Sequence, residues 1–169
     1  MVKQNPNTMV ITETEVREWL EEVKDPEIPV LSLIDLGVIT GVECQPEGKV
    51  VVNMTPTFSG CPAIDMMRDE VGEVLQKNGV EQYEVNVSFD TQWNSNMITD
   101  KGRHALKTFG LAPPPKHNLI VDIDLIQRVS CPYCNSNDTV MKTPFGPTLC
   151  RSIHYCNSCK QAFEQFKPI

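Results

Sequence analysis

Two Cys-x-x-Cys pairs, Cys131-Pro-Tyr-Cys134 and Cys156-Asn-Ser-Cys159, stand 21 residues apart near the C-terminus. Two residues between cysteines let one tight turn point both sulfurs at a single ion, and two such turns complete a tetrahedral four-thiolate set. Asn135, just after the first pair, tolerates the left-handed backbone that such knuckles need. Between the pairs, Thr139-Val-Met-Lys142 and the turn Pro144-Phe-Gly-Pro147 read as a hairpin. These features predict a zinc ribbon over residues 119–169, with Cys131, Cys134, Cys156 and Cys159 as ligands of a structural zinc. One iron in rubredoxin style and a redox dithiol are the competing readings. The spacing slightly exceeds the usual window, which a longer hairpin absorbs. A ribbon of about 40 residues has too little core to fold alone, so metal binding would supply much of its folding free energy. Cys44 and Cys150 lie outside the pair spacing and read as core thiols. His104, His117 and His154 show no paired ligand spacing, and His154 is a poor fifth candidate beside Cys156.

A seventh cysteine stands apart, in Thr55-Pro-Thr-Phe-Ser-Gly-Cys61-Pro-Ala63. Lys49 to Thr55 upstream is β-branched and apolar, whereas Ile64, Met67, Val71, Val74 and Leu75 recur at helical steps downstream. Pro62 suits a first helical position, which makes Cys61 the expected N-cap. The unpaired N–H groups there favour a thiolate, while Asp65 and Asp69 oppose it, so a modest pKa depression is expected. A buried cysteine packing as a small hydrophobe is the alternative.

Those cysteines must be held by a chain of 169 residues, 40% hydrophobic, with a formal charge of -7. That suits one domain and a small appendage. Residues 1–110 carry 9 basic and 18 acidic side chains, and residues 111–169 carry 6 and 4. No cluster of Lys and Arg marks a phosphate-binding surface, so nucleic acid is a poor partner. Neither a spanning helix nor a signal peptide is visible. The sequence therefore reads as cytoplasmic, where cysteines serve metal or redox chemistry rather than a disulfide framework.

Residues 1–11 read as an extended or disordered N-terminus. Thr12 and Glu15 form a capping box that starts a helix with Val16, Trp19, Leu20 and Val23 on one face, ended by Asp25-Pro26. Asp35 is isolated in an apolar run. Val38, Thr40 and Val42 alternate into a strand, Pro46 to Lys49 is a turn, and Val50, Val52 and Met54 alternate back. The Cys61 helix follows, ended by Asn78-Gly79, and then a third strand over Tyr83–Phe89. A polar loop with Trp93 as core anchor precedes a short helix from Thr99 or Asp100 to Gly110. Pro113-Pro-Pro-Lys-His-Asn118 is a stiff linker. The fold class expected is α+β: over residues 12–112 a small mixed sheet with helices packed on it in αββαβ-α order, then the ribbon.

Asp25-Pro-Glu-Ile-Pro29, Ile34-Asp-Leu-Gly37, Gly60-Cys-Pro-Ala63 and the Trp93 loop together resemble the MIP18-like (DUF59) iron-sulfur assembly family, over roughly residues 12–112. With the ribbon appended, the likeness extends to the D subunits encoded with multicomponent phenylacetyl-CoA epoxidases of aerobic phenylacetate degradation. The resemblance implies an accessory factor that matures or inserts iron-sulfur clusters, with the oxygenase and reductase components and iron-sulfur assembly proteins as partners. Cys61 and Asp35 match the family's motif cysteine and aspartate, which implies a transient cluster or partner site there. Asp90-Thr-Gln-Trp93 departs from the proline-richer loop of small members. One thiol cannot hold a cluster that needs about four ligands, so ligation must be transient or shared. No Gly-x-x-x-x-Gly-Lys-Ser/Thr loop is present, so any ATP-driven step belongs to a partner. A Cys61 hydrolase would need a histidine base such as His104, which the sequence does not require. The chain is therefore expected not to be an enzyme; a non-catalytic docking subunit of the oxygenase is the alternative, and a homodimer is left open.

Overall fold

The computed structural model describes residues 11–118 and 123–168. Apart from Ile11, the extended N-terminus expected over 1–11 lies outside those residues, as do residues 119–122. Helix α1 (Glu13–Leu20) starts at the expected capping box. The Glu15 N–H donates to the Thr12 hydroxyl oxygen at 3.3 Å, and the Glu15 carboxylate accepts from the Thr12 N–H at 2.9 Å. The helix stops at Leu20, before the proline, because the chain turns early into a hairpin. Its strands are β1 (Lys24–Asp25) and β2 (Ile28–Ser32), which pair antiparallel. Asp25 fixes the turn by accepting the N–H groups of Glu27 and Ile28, both at 2.9 Å. Ser32 then caps α2 (Leu33–Leu36), which Gly37 ends at φ +76°. An added Cβ on Gly37 would come within 2.6 Å of Met97.

Strands β3 (Ile39–Cys44) and β4 (Val50–Met54) form the expected hairpin, helix α3 (Ile64–Lys77) crosses over, and β5 (Tyr83–Val87) pairs parallel to β4. The strand order is β3-β4-β5. Register sets Val52 opposite Val42 on one side and Val85 on the other. An irregularity between Ile39 and Gly41 shifts the alternation, so Ile39 rather than Thr40 turns inward. Val50, Val52 and Met54 pack with Val16 and Leu20 of α1 and Val71 and Leu75 of α3 in one core. Each such side chain contributes about 1.5–3 kcal/mol when fully buried.

Beyond β5 the loop makes a 3-10 turn over Ser95–Met97, and α4 (Asp100–Phe109) begins at Thr99 and ends at Gly110. Strand β6 (Leu111–Ala112) follows, then α5 (Ile123–Gln127), β7 (Thr139–Thr143), β8 (Arg151–Cys156) and β9 (Ala162–Phe166). The second sheet has the order β6-β9-β8-β7. Strand β6 lies parallel on β9, with Leu111 opposite Glu164. Phe166 continues from that pairing into the first core, where its ring centroid is 5.9 Å from that of Trp93. Residues 113–118 are tied down as well. Asn96 donates to the His117 carbonyl at 2.7 Å and accepts the His117 N–H at 3.0 Å, and Arg103 donates to the Pro114 carbonyl. Among the described residues no helix is long and apolar enough to cross a membrane.

Because Phe166 belongs to the core of the first unit, Phe166→Ala is expected to destabilise both units together by about 3–5 kcal/mol. Far-ultraviolet dichroism and tryptophan fluorescence should then show one coincident transition at lower temperature. A ribbon-only change, with the helical signal unmoved, would refute the shared core.

Candidate functional site

Two turns of the same shape bring four sulfurs together at one end of the second sheet. Cys131 N–H donates to Ser136 O and Cys156 N–H to Gln161 O, each at 2.9 Å, and Asn135 N–H and Lys160 N–H close the turns on Cys131 O and Cys156 O. Asn135 (φ 59°) and Lys160 (φ 62°) occupy equivalent left-handed positions directly after each pair. The four Sγ atoms lie within 4.8 Å of one another, with Cys131 to Cys159 at 3.6 Å and Cys134 to Cys156 at 3.5 Å. A tetrahedral ion with bonds of about 2.3 Å to sulfur spaces its ligands about 3.8 Å apart, so the set fits one metal ion. The Cys159 N–H points at Cys156 Sγ from 3.5 Å. That donor leads in pulling the Cys156 thiol down to about 6, while burial leads in pushing Cys159 up to about 12, with its neighbouring thiols adding. Four sulfurs this close cannot all ionise without a cation. His154 is not part of the set: its Nε2 is 2.9 Å from Ser152 Oγ and its ring stacks on Phe163.

A second thiol site lies where the two units meet. The Asp25–Ile28 turn, the segment 60–63 and the ribbon loop 145–150 enclose a cleft of about 430 Å³ to which Leu36 and Phe166 also contribute. Cys61 lines it, half-buried. It is not the N-cap that Pro62 suggested. Helix α3 starts at Ile64, and the cap position falls to Ala63, which makes no side-chain capping bond. Burial pushes the Cys61 thiol up, Asp25 and Glu27 add to this, and the N–H groups of Ala63 and Ile64 only partly offset it. The expected depression is thus reversed, and the resting group is a neutral thiol. Asp65 and Asp69, expected to oppose ionisation, are instead engaged by Arg68 at 2.9 and 3.1 Å.

Residues 13–89 match the family described as iron-sulfur cluster assembly protein, and residues 120–167 match the PaaD zinc beta ribbon domain. A protein of Escherichia coli (strain K12), named as the D subunit of 1,2-phenylacetyl-CoA epoxidase, is 36% identical over 155 residues, which is 92% of either chain. The chain belongs to the iron-sulfur cluster assembly family. A Porphyromonas gingivalis protein named Fe-S protein maturation auxiliary factor is 35% identical over 96 residues, 56% of this chain and 90% of that one. Among solved structures, a DUF59 domain from Bacillus anthracis superposes with a TM-score of 0.53 at 30% identity, covering 56% of this chain and 90% of that one. A conserved hypothetical protein of Thermotoga maritima gives 0.51 at 27%, covering 62% and 100%. Similarity thus bears out the resemblance drawn from the motifs and the α+β fold with an appended ribbon.

In this assembly-family chain Asp35 is placed differently from Cys61. It is 6% exposed, and its carboxylate accepts from Thr99 Oγ1 at 2.6 Å, Lys101 Nζ at 2.9 Å and Ser32 Oγ at 3.0 Å. Its carbonyl accepts the Thr99 N–H at 2.9 Å. Asp35 therefore ties α2 to the start of α4, and it is not among the walls of the cleft that Cys61 lines. Trp93 is 3% exposed and donates from Nε1 to the Leu36 carbonyl at 3.1 Å, the anchor expected of it. His104 sits exposed on α4, away from the cleft. Three groups around Cys61 carried no sign in the sequence that they would meet it: Asp25 and Glu27, read only as part of a helix stop and a motif, and Cys150, read as a core thiol, which is 7% exposed and brought in by the docked ribbon.

Burial alone would raise the Asp35 pKa, but donation from Thr99, Lys101 and Ser32 outweighs it, and the folded value is lowered. Its stabilisation is complete above the unfolded value of about 3.9 and is lost as pH falls through the folded value. Asp35→Ala is expected to lower stability at pH 7 by about 2–3 kcal/mol, by leaving donors unpaired. Denaturant titrations at pH 7 and pH 3 should show the difference shrinking in acid. A constant difference would remove the carboxylate from the explanation.

Proposed function

We propose that this chain is an accessory, non-enzymatic maturation factor that helps equip an iron-sulfur protein with its cluster. Its client in this reading is the reductase component of a multicomponent phenylacetyl-CoA epoxidase, in the cytoplasm of a phenylacetate-degrading cell. The observation that carries it is Cys61 in the cleft between the assembly-family unit and the ribbon, half-buried and outside both the four-sulfur set and any disulfide. Such a thiol can meet a cluster in transit. The names borne by the relatives point the same way: a component of the epoxidase for one that spans the chain, Fe-S protein maturation auxiliary factor for those that span the first unit.

Zinc is the metal proposed for Cys131, Cys134, Cys156 and Cys159. Their four-sulfur set is closed, with no place for a substrate, and zinc would supply folding energy rather than chemistry. Cys61 is proposed as the cluster-facing thiol. Asp35 is proposed as the post that fixes the loop from Trp93 to Thr99 behind it.

A docking role within the oxygenase is the second reading, favoured by the apolar rim of the cleft. Phe145 is 68% exposed and Leu149 63% exposed, both on the ribbon loop. Such side chains suit a protein surface, whether the visit is brief or permanent.

Purified protein is expected to contain about one zinc per chain, and Cys156→Ser should abolish it and open the ribbon to protease. Stoichiometric iron with a visible thiolate-to-iron band would defeat the zinc assignment. Cells carrying Cys61→Ala should accumulate a folded variant and a reductase short of its cluster, measured as iron per polypeptide. Assembled oxygenase and reductase from normal cells should turn over without this protein added. If they require it at one copy per complex while the clusters are intact, the docking reading replaces maturation.

A further inference from the structure

We infer that Cys61 and Cys150 are paired thiol ligands of one cargo site, in which the assembly-family unit and the ribbon each give one sulfur to a thiophilic iron species in the cleft between them. The inference rests on the maturation role proposed above and names the group that completes Cys61. Both side chains line the same cleft of about 430 Å³, Cys61 on the segment leading into α3 and Cys150 at the end of the ribbon loop. Cys150 takes no part in the four-sulfur set, and its sulfur lies 3.1 Å from Thr148 Oγ1. Burial leads in pushing both thiols up, and Asp25 and Glu27 add to it at Cys61 and at Cys150, while Thr148 and Arg151 offset part of it at Cys150. The sulfurs therefore share one acidic field, which Arg151 partly balances on the Cys150 side.

That field suits a cation and not a bare thiolate pair. Burial pushes both thiols toward the protonated form, which resists oxidation. An oxidised two-iron, two-sulfur core is dicationic, so two thiolates bring it to neutrality. Four thiolates would make it a dianion, which Asp25 and Glu27 would repel. The cleft is matched to a half-ligated cluster whose remaining iron positions stay open to a client, since a complete set needs about four ligands. Transfer is then ligand exchange. A client thiol loses its proton and binds iron as thiolate, the displaced sulfur of Cys61 or Cys150 takes up a proton, and a second exchange completes release. No electron moves. The exposed Phe145 and Leu149 at the rim would shield the exchange from water.

Phenylarsine oxide tests the pairing without reference to iron, because it condenses with two adjacent thiols, releasing water and forming two arsenic–sulfur bonds. Full-length protein with its zinc in place should form one adduct that survives excess monothiol, seen by intact-mass analysis. Cys61→Ser and Cys150→Ser should each abolish it, and Cys44→Ser should not. In a second arm, anaerobic reconstitution with ferric iron and sulfide should load a cluster on wild type and lose roughly tenfold or more with either ligand variant. Since serine at buried position 150 can unfold the chain, Cys150→Ala with an unchanged melting temperature serves as its partner. An adduct that persists in both position-150 variants overturns the pairing. Iron uptake that needs Cys61 but not Cys150 also overturns it, while leaving the maturation role standing. A wild-type protein that forms the arsenic adduct yet takes up no iron overturns the cargo assignment and counts against the maturation role itself.

Discussion

The seating of Phe166 against Trp93 is the contact on which the rest of the architecture depends. A ribbon of this size has little core of its own; here Ala112, Val129, Cys131, Cys156 and Phe163 make up its separate buried cluster. Stability has to be borrowed, from a metal at one end and from the larger unit at the other. Strand β6 provides the second attachment by adding itself to β9, and Arg151 extends it by donating to the Glu27 carbonyl at 3.1 Å and to Glu164 at 3.0 Å. Trp93 is in turn held by the Leu36 carbonyl, and Leu36 belongs to the short helix fixed by Asp35. One chain of contacts thus runs from a buried carboxylate to the ribbon. The cleft around Cys61 exists only because that chain positions the ribbon loop opposite it.

Electrostatics at the cleft run against the simplest expectation for a thiol ahead of a helix. Helix ends stabilise anions within about one turn, and only when the N–H groups reach the sulfur unopposed. Cys61 stands before the first turn, partly desolvated, and faces the acidic turn at Asp25 and Glu27. Asp25 is itself pushed toward the neutral form by burial, although two backbone donors and Arg151 resist this. A nucleophilic enzyme would need the reverse arrangement, with a cation or a base beside the sulfur. At Cys61 burial and the acidic turn instead push the thiol toward its neutral form.

Much of the fold was legible because its signals are local. The Thr12 to Glu15 box, the turn at Asn78-Gly79, the β3-β4 hairpin and the two knuckles each carry their information within a few residues, and each is found where expected. The register irregularity at Ile39 was not legible, because β-branched residues occupy successive positions and either could face inward. Lys160 has a left-handed backbone that its type does not advertise, unlike Asn135; only the symmetry of the two knuckles could have pointed to it. Cys150 and the carboxylates around Cys61 were hidden for a different reason. Their meeting depends on docking between segments far apart in sequence, 34 and 36 residues for Glu27 and Asp25 and 89 for Cys150, and no pattern in a single sequence encodes such a pairing. Asp35 shows the opposite limit: its isolation in an apolar run marked it as special, but not its donors Thr99 and Lys101, which lie more than 60 residues on.

Ligand number separates the two thiol sites and explains why one chain needs both. Four convergent sulfurs at the end of the ribbon leave an ion no open position, so what binds there stays, and the binding free energy becomes folding free energy. The cleft offers fewer sulfurs, a negative wall and an apolar rim, so an iron species gains attraction without full coordination. In the proposed transfer, retention at the cleft would be weak compared with a client that supplies a complete thiolate set, and the gradient in ligand count would give transfer its direction. A resident metal also fixes the geometry of the transient one. The knuckle ending in Cys159 leads directly into β9, and β9 delivers Phe166 to the shared core beside the cleft. Closing the four-sulfur site would thus hold the loop bearing Cys150 in place, so that in the proposed role a metal in the ribbon is a precondition for cargo at Cys61.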